Sequence, residues 1–129
     1  MTTSGPGNLS WLRREDSTQR VRALQSCALE VYQHCVKIVA ASIERERLGA
    51  PLLSTTQMAL VLGAAQCCQS LATVCLPEFS ELAAYADASG EFLLASASAL
   101  SRESAGEELR LCALWLRQCR ELCLAVATA

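Results

Sequence analysis

Leu109-Arg-Leu-Cys-Ala-Leu-Trp-Leu-Arg-Gln-Cys-Arg-Glu-Leu-Cys123 is the stretch on which the reading of this chain turns. On a helix that turns about 100° per residue, Cys112, Cys119 and Cys123 fall within roughly 40° of one another. Leu109, Leu111, Trp115, Leu116 and Leu122 flank that line, Arg110, Arg117 and Glu121 point the opposite way, and Arg120 sits near the boundary. The spacing predicts an amphipathic helix whose buried face is centred on sulfur. A single helix cannot cover such a face, so the rest of the chain has to supply matching stripes.

Two further stretches do. Leu24, Cys27, Val31, His34, Cys35 and Ile38 recur at helical spacing within a segment expected to run from Asp16, with Gln19 completing a capping box, to about Leu48. Gly49-Ala50-Pro51 then ends it. Ser54 with Gln57 forms a second capping box, followed by the stripe Met58, Val61, Ala64, Cys68, Leu71 and Cys75, with Cys67 at its edge. Phe79, Leu82, Ala83 and Ala86 continue in phase beyond Pro77. The favoured reading is therefore one kinked helix from 55 to about 87, with a break at Pro77 as the alternative. Asp87-Ala-Ser-Gly90 reads as a turn, Glu91 to Arg102 as a short helix without cysteine, and Ser104 with Glu107 as the cap of the last helix. The fold class is all-α, an antiparallel four-helix bundle. Residues 1–15 are expected as a flexible lead-in and 16–129 as one domain.

Composition supports this and removes several function classes. Of 129 residues, 52% are apolar and 19% charged, dominated by the helix formers Ala and Leu. A net charge of −2 argues against a nucleic-acid binder, which needs a basic face to neutralise phosphates. Runs such as Glu44-Arg-Glu-Arg47 compensate themselves on a solvated surface. The longest apolar run, Met58 to Ala65, is far short of the roughly 20 residues a membrane span needs, so no membrane partner is expected. The first ten residues are polar and carry no apolar leader, and the expectation is a cytosolic protein.

In a reducing compartment the eight cysteines are not a disulfide framework. Three helices place them on the core face: Cys27 and Cys35, then Cys67, Cys68 and Cys75, then Cys112, Cys119 and Cys123. Soft thiolates suit Cu(I), zinc or iron–sulfur clusters. Paired Cys-x-x-Cys knuckles for zinc and short loop spacings for iron–sulfur clusters are both absent. Helix-borne cysteines suit a monovalent, low-coordination ion such as Cu(I), which two sulfurs on neighbouring turns or helices satisfy. His34, on the Cys27 face, is a further candidate ligand, set against the plainer role of a boundary residue. No nucleophile–base pair, buried carboxylate pair or phosphate-cradling loop is visible, so catalysis is not expected.

Leu71-Ala-Thr-Val-Cys75 and Cys119-Arg-Glu-Leu-Cys123 resemble the Cys-Ala-x-x-Cys and Cys-x-x-x-Cys units of the four-helix-bundle copper storage proteins. The order of parts is similar as well, including a Ser-containing turn followed by Phe, here Ser89 and Phe92, and the resemblance covers about residues 17 to 127. It implies core cysteines that bind many Cu(I) ions, mostly between paired sulfurs. Leu71, Ser96, Ala99 and Trp115 stand where family cysteines are expected, which implies fewer ions here. Two other readings stand beside Cu(I) binding. One is a helical interaction module with cysteines as core packing, using Leu114, Leu124 and Ala113 towards a second copy or a protein partner. The other is a bundle whose close thiols respond to oxidants.

Overall fold

A computed structural model of the chain describes residues 6–50, 52–74, 81–103 and 106–128. Four helices follow one another: α1 (Pro6–Arg47), α2 (Thr55–Val74), α3 (Leu82–Glu103) and α4 (Glu107–Ala127). Each packs against the next, and α4 closes the square on α1. The described residues contain no strand. The chain is an all-α four-helix bundle, as the stripes predict.

Neighbouring helices run antiparallel. Cys35 faces Cys112 across α1 and α4, Cys67 faces Ser89 across α2 and α3, and Gly90 meets Cys123 across α3 and α4. The core is one contiguous cluster in which Leu24, Leu71, Leu93, Leu100 and Leu116 are the largest fully buried side chains. Burying a leucine of this kind contributes about 2 kcal/mol, so the leucines rather than the sulfurs carry most of the packing energy.

The ends of α1 and α2 form as their sequences dictate. Gly49 adopts a positive φ of 78°, the conformation that costs glycine least. Its N–H donates to the Glu46 carbonyl at 3.0 Å, and that of Ala50 to the Arg45 carbonyl at 3.0 Å. This is the Schellman closure of a helix. At the next start, the Ser54 N–H donates to Gln57 Oε1 at 2.9 Å and the Gln57 N–H to Ser54 Oγ at 3.1 Å. The expected capping box is present.

Four boundaries differ from the sequence reading. Helix α1 begins at Pro6 rather than near Asp16; proline suits a first helical turn, and beyond Gly7 neither Gly nor Pro interrupts the chain before Gly49. At about 1.5 Å per residue, the 42 residues of α1 make it about twice as long as α4 with 21. The Cys35–Cys112 register places most of the excess at the N-terminal end of α1, past the end of α4, and the rest past the start of α4.

The single kinked helix over 55–87 does not form. Helix α2 ends at Val74, and α3 starts at Leu82 running the other way, so the alternative of a break is what the chain adopts. Leu82 and Ala86 are buried as their phase suggests, whereas Ala83, expected in the same stripe, is exposed; a stripe in phase on both sides of an interruption cannot reveal a reversal of direction. Cys75, Pro77 and Phe79 lie outside the described residues.

Asp87-Ala-Ser-Gly90 is not a turn but lies inside α3. A Cβ at Gly90 would stand 3.0 Å from Cys123 Cβ, so the glycine is there to let α4 approach. Helix α4 takes Gly106 as its N-cap, with no side-chain cap; Ser104 lies outside the described residues. Glu107 and Glu108 in its first turn complement the helix dipole instead. No described helix is long and apolar enough to cross a membrane.

Candidate metal-binding thiol core

Cys112, Cys119 and Cys123 are all fully buried along α4, together with Leu109, Ala113, Leu116 and Val126. The sulfur line read from the sequence is therefore the centre of the buried face, although Leu111, expected to flank it, is exposed. That face is wider than the line, because α4 packs against both α1 and α3. For that reason Ala113, expected on an outer surface, is 1% exposed, whereas Leu114 and Leu124 are exposed. Cys35 on α1 and Cys68 on α2 are fully buried too; Cys27 and Cys67 are half-buried. All seven described cysteines are free thiols.

The bundle brings most of these sulfurs together pairwise. Cys35 Sγ lies 3.9 Å from Cys112 Sγ, deep between α1 and α4, and either atom can donate. Cys119 acts electrostatically on several other thiols: it is the leading cause that raises Cys27 and Cys68, and a lesser one at Cys35 and Cys67. The Cys67 thiol donates to the Ser89 backbone carbonyl at 3.9 Å. Cys123 stands against Gly90. Among the described residues, no group of three or more His, Cys, Asp or Glu side chains is arranged to hold a metal ion. The sites this core offers are dithiols.

His34 is placed differently from the cysteines. Its ring stacks on that of Trp115, centroids 3.9 Å apart and planes 21° from parallel. The contact joins α1 to α4 beside the thiols, and Trp115, half-buried, is more than a core filler. Sequence periodicity missed this pair because each residue lies on its own helix. Knowing the register of α1 against α4 would have been enough to find it.

The electrostatics follow from burial without a cation. Cys27, Cys35 and Cys68 are all held above the ordinary thiol range, first by a hydrogen bond to a second thiol in which the proton is shared, then by desolvation. Cys112 moves down, because Cys35 donates to it, against a desolvation that pushes up. The Cys35–Cys112 pair thus ionises as a unit, one sulfur keeping the proton that stabilises the other as thiolate. Burial pushes Cys67 up to about 11, with the Ser89 side chain opposing and Cys119 reinforcing the shift. Protonated, buried thiols are poor nucleophiles.

This predicts a basic limit to stability. A thiol raised above its unfolded value binds its proton more tightly in the native state. Its contribution is complete below pH 9.0, the unpaired value, and for Cys67 is lost as pH rises through about 11. Urea unfolding of the reduced protein should give a stability that falls steadily from pH 9 to 11, where the raised thiols lose their contribution and the lowered Cys112 no longer adds to it. A stability that rises over that interval would contradict the assignment of these thiols as protonated.

No protein-family model matches the chain, and no curated protein and no solved structure matches it. The candidate site rests on the residues themselves.

Proposed function

We propose that this chain binds Cu(I) through paired core thiolates, as a store or buffer of the ion. The observation that carries the reading is the fully buried Cys35–Cys112 pair at 3.9 Å. Two metal–sulfur bonds of about 2.3 Å, the length typical of zinc thiolates, hold sulfurs up to about 4.6 Å apart. A modest rotamer adjustment brings the pair to that separation.

The donor set favours a soft ion. The buried polar side chains among the described residues are Ser42, Ser89 and Ser96, with no buried carboxylate to attract a hard cation. Zinc takes four ligands, which pairwise thiols do not supply. A monovalent ion between two thiolates leaves a single negative charge in the core, less costly than the charge of a tetrathiolate zinc site. Binding breaks two S–H bonds, forms two S–Cu bonds and releases two protons, with no change of oxidation state. The test is titration of the reduced protein with Cu(I) against a chromogenic chelator. Failure to draw the ion from the chelator removes the proposal.

A specific feature favours a second reading, association through α1. Leu29, Val36 and Ile43 recur every seven residues and are 47%, 43% and 52% exposed. Half-buried Tyr32 and Val39 lie between them. The 3–4 spacing is that of a coiled-coil seam and suits another helix. This reading expects wild-type protein to sediment above the monomer mass and Val36→Glu to sediment as a monomer. A wild-type chain that remains monomeric at high concentration sinks it.

A further inference from the structure

Cys35 on α1 and Cys112 on α4 are fully buried, with their sulfurs 3.9 Å apart. The two residues lie 77 positions apart in the chain, so only packing brings them together. A disulfide holds its sulfurs at about 2.05 Å, and each of these thiols turns about a single side-chain bond to close the remaining distance. Other cysteines meet groups that take no part in such a bond. The Cys67 thiol donates to the Ser89 backbone oxygen, and Cys123 stands against Gly90, which has no side chain. His34 and Trp115, the residue before Cys35 and the third after Cys112, stack across the same helix pair and hold its register at the thiols.

We infer that Cys35 and Cys112 form a redox latch, which a peroxide closes into a disulfide that ties α1 to α4. The latch needs no metal and does not rest on the Cu(I) reading, although both use the same two sulfurs. With hydrogen peroxide, one sulfur first attacks a peroxide oxygen, the O–O bond breaks, and a sulfenic acid and water are left. The other thiol then attacks the sulfenic sulfur, the S–O bond breaks, and a second water leaves with its proton. Two electrons pass from the sulfur pair to the peroxide, and a dithiol reductant returns them. Because both thiols are buried, oxidant and reductant each wait for local opening, and the latch is slow in both directions. Closed, it restrains the unfolded chain across a long loop and so stabilises the native bundle.

The test uses the full-length, metal-free protein. It is treated with a small excess of hydrogen peroxide, its remaining thiols are blocked with N-ethylmaleimide, and its tryptic peptides are mapped by mass spectrometry. Cleavage after Arg and Lys leaves Cys112 in 111–117, Cys119 in 118–120 and Cys123 in 121–129, whereas Cys35 shares 23–37 with Cys27. The expected result is a linkage of 23–37 to 111–117 that fragmentation assigns to Cys35. It should come with a Tm at least about 5 °C above that of the reduced protein, and reduction should remove both. Cys67→Ser should form the same linkage, and Cys112→Ser, shown to be folded by far-UV circular dichroism, should lose the linkage and the gain in Tm. Linkage of Cys27 to Cys119 in its place, oxidation that stops at sulfenic or sulfinic acid, or a linkage that leaves Tm unchanged overturns the latch. Each of those outcomes leaves Cu(I) binding standing, and a protein that draws no Cu(I) leaves the latch standing.

Discussion

If the core binds Cu(I) as proposed, replacing both Cys35 and Cys112 with serine is expected to abolish one Cu(I) site and to leave the bundle folded. The two sulfurs are 3.9 Å apart and fully buried. Serine keeps nearly the same volume and replaces a soft donor with a hard one, which discriminates against Cu(I) far more than against the fold. Losing two thiolate bonds to a soft ion should weaken that site by at least about a thousandfold, an order-of-magnitude figure in line with metal-affinity losses of 10–100-fold for mere supporting groups. The structural cost is smaller, about 1–3 kcal/mol, for hydroxyls placed where a sulfur pair stood. The hydroxyls can bond to each other or to a backbone carbonyl, which limits it. Chelator competition measures the first effect and urea unfolding the second. A double variant that retains the wild-type stoichiometry and affinity would show that the pair is packing alone.

A second large effect is expected at Gly90. Its missing side chain admits α4: an added Cβ would lie 3.0 Å from Cys123 Cβ and 3.8 Å from the Arg120 carbonyl oxygen. Both neighbours belong to a packed helix and neither can swing aside. Gly90→Ile should therefore cost about 3 kcal/mol, the upper end of core overpacking, and lower Tm by on the order of 10 °C for a domain of this size. Gly63 gives the opposite expectation. A Cβ there meets only the rim of the Phe92 ring at 3.4 Å, and Phe92 is 48% exposed and free to shift. Gly63→Ala should gain up to about 1 kcal/mol from helix propensity. Equal effects at the two positions would refute the close approach of α3 and α4 at Gly90.

These predictions concern different kinds of information. The facing of Cys112, Cys119 and Cys123 was legible because helical periodicity is a local property, and three thiols within one narrow arc cannot all avoid the core. The Ser54–Gln57 cap and the Gly49 closure were legible for the same reason. Each is built within a few residues, and its hydrogen bonds can be counted from the sequence. Gly90 was misread because glycine has two uses. It breaks helices where the chain must turn, and it lets helices touch where they cross. Only the neighbour decides which, and that neighbour, Cys123, is a long way along the chain.

The sequence by itself determined that the chain is all-α, that three of its helices bury a cysteine-bearing face, and that a bundle is needed to cover it. Every one of those statements follows from the period of apolar residues and from the small share of glycine and proline. Tertiary structure alone decided that α2 and α3 are separate antiparallel helices and that Cys35 pairs with Cys112. It also decided that Cys123 stands against Gly90, and that His34 stacks on Trp115. These depend on direction and register between helices, which no period within a helix contains. A stripe states which residues face inward; it does not state whom they meet. For a core lined with thiols, the partners are what matter, and packing chooses them.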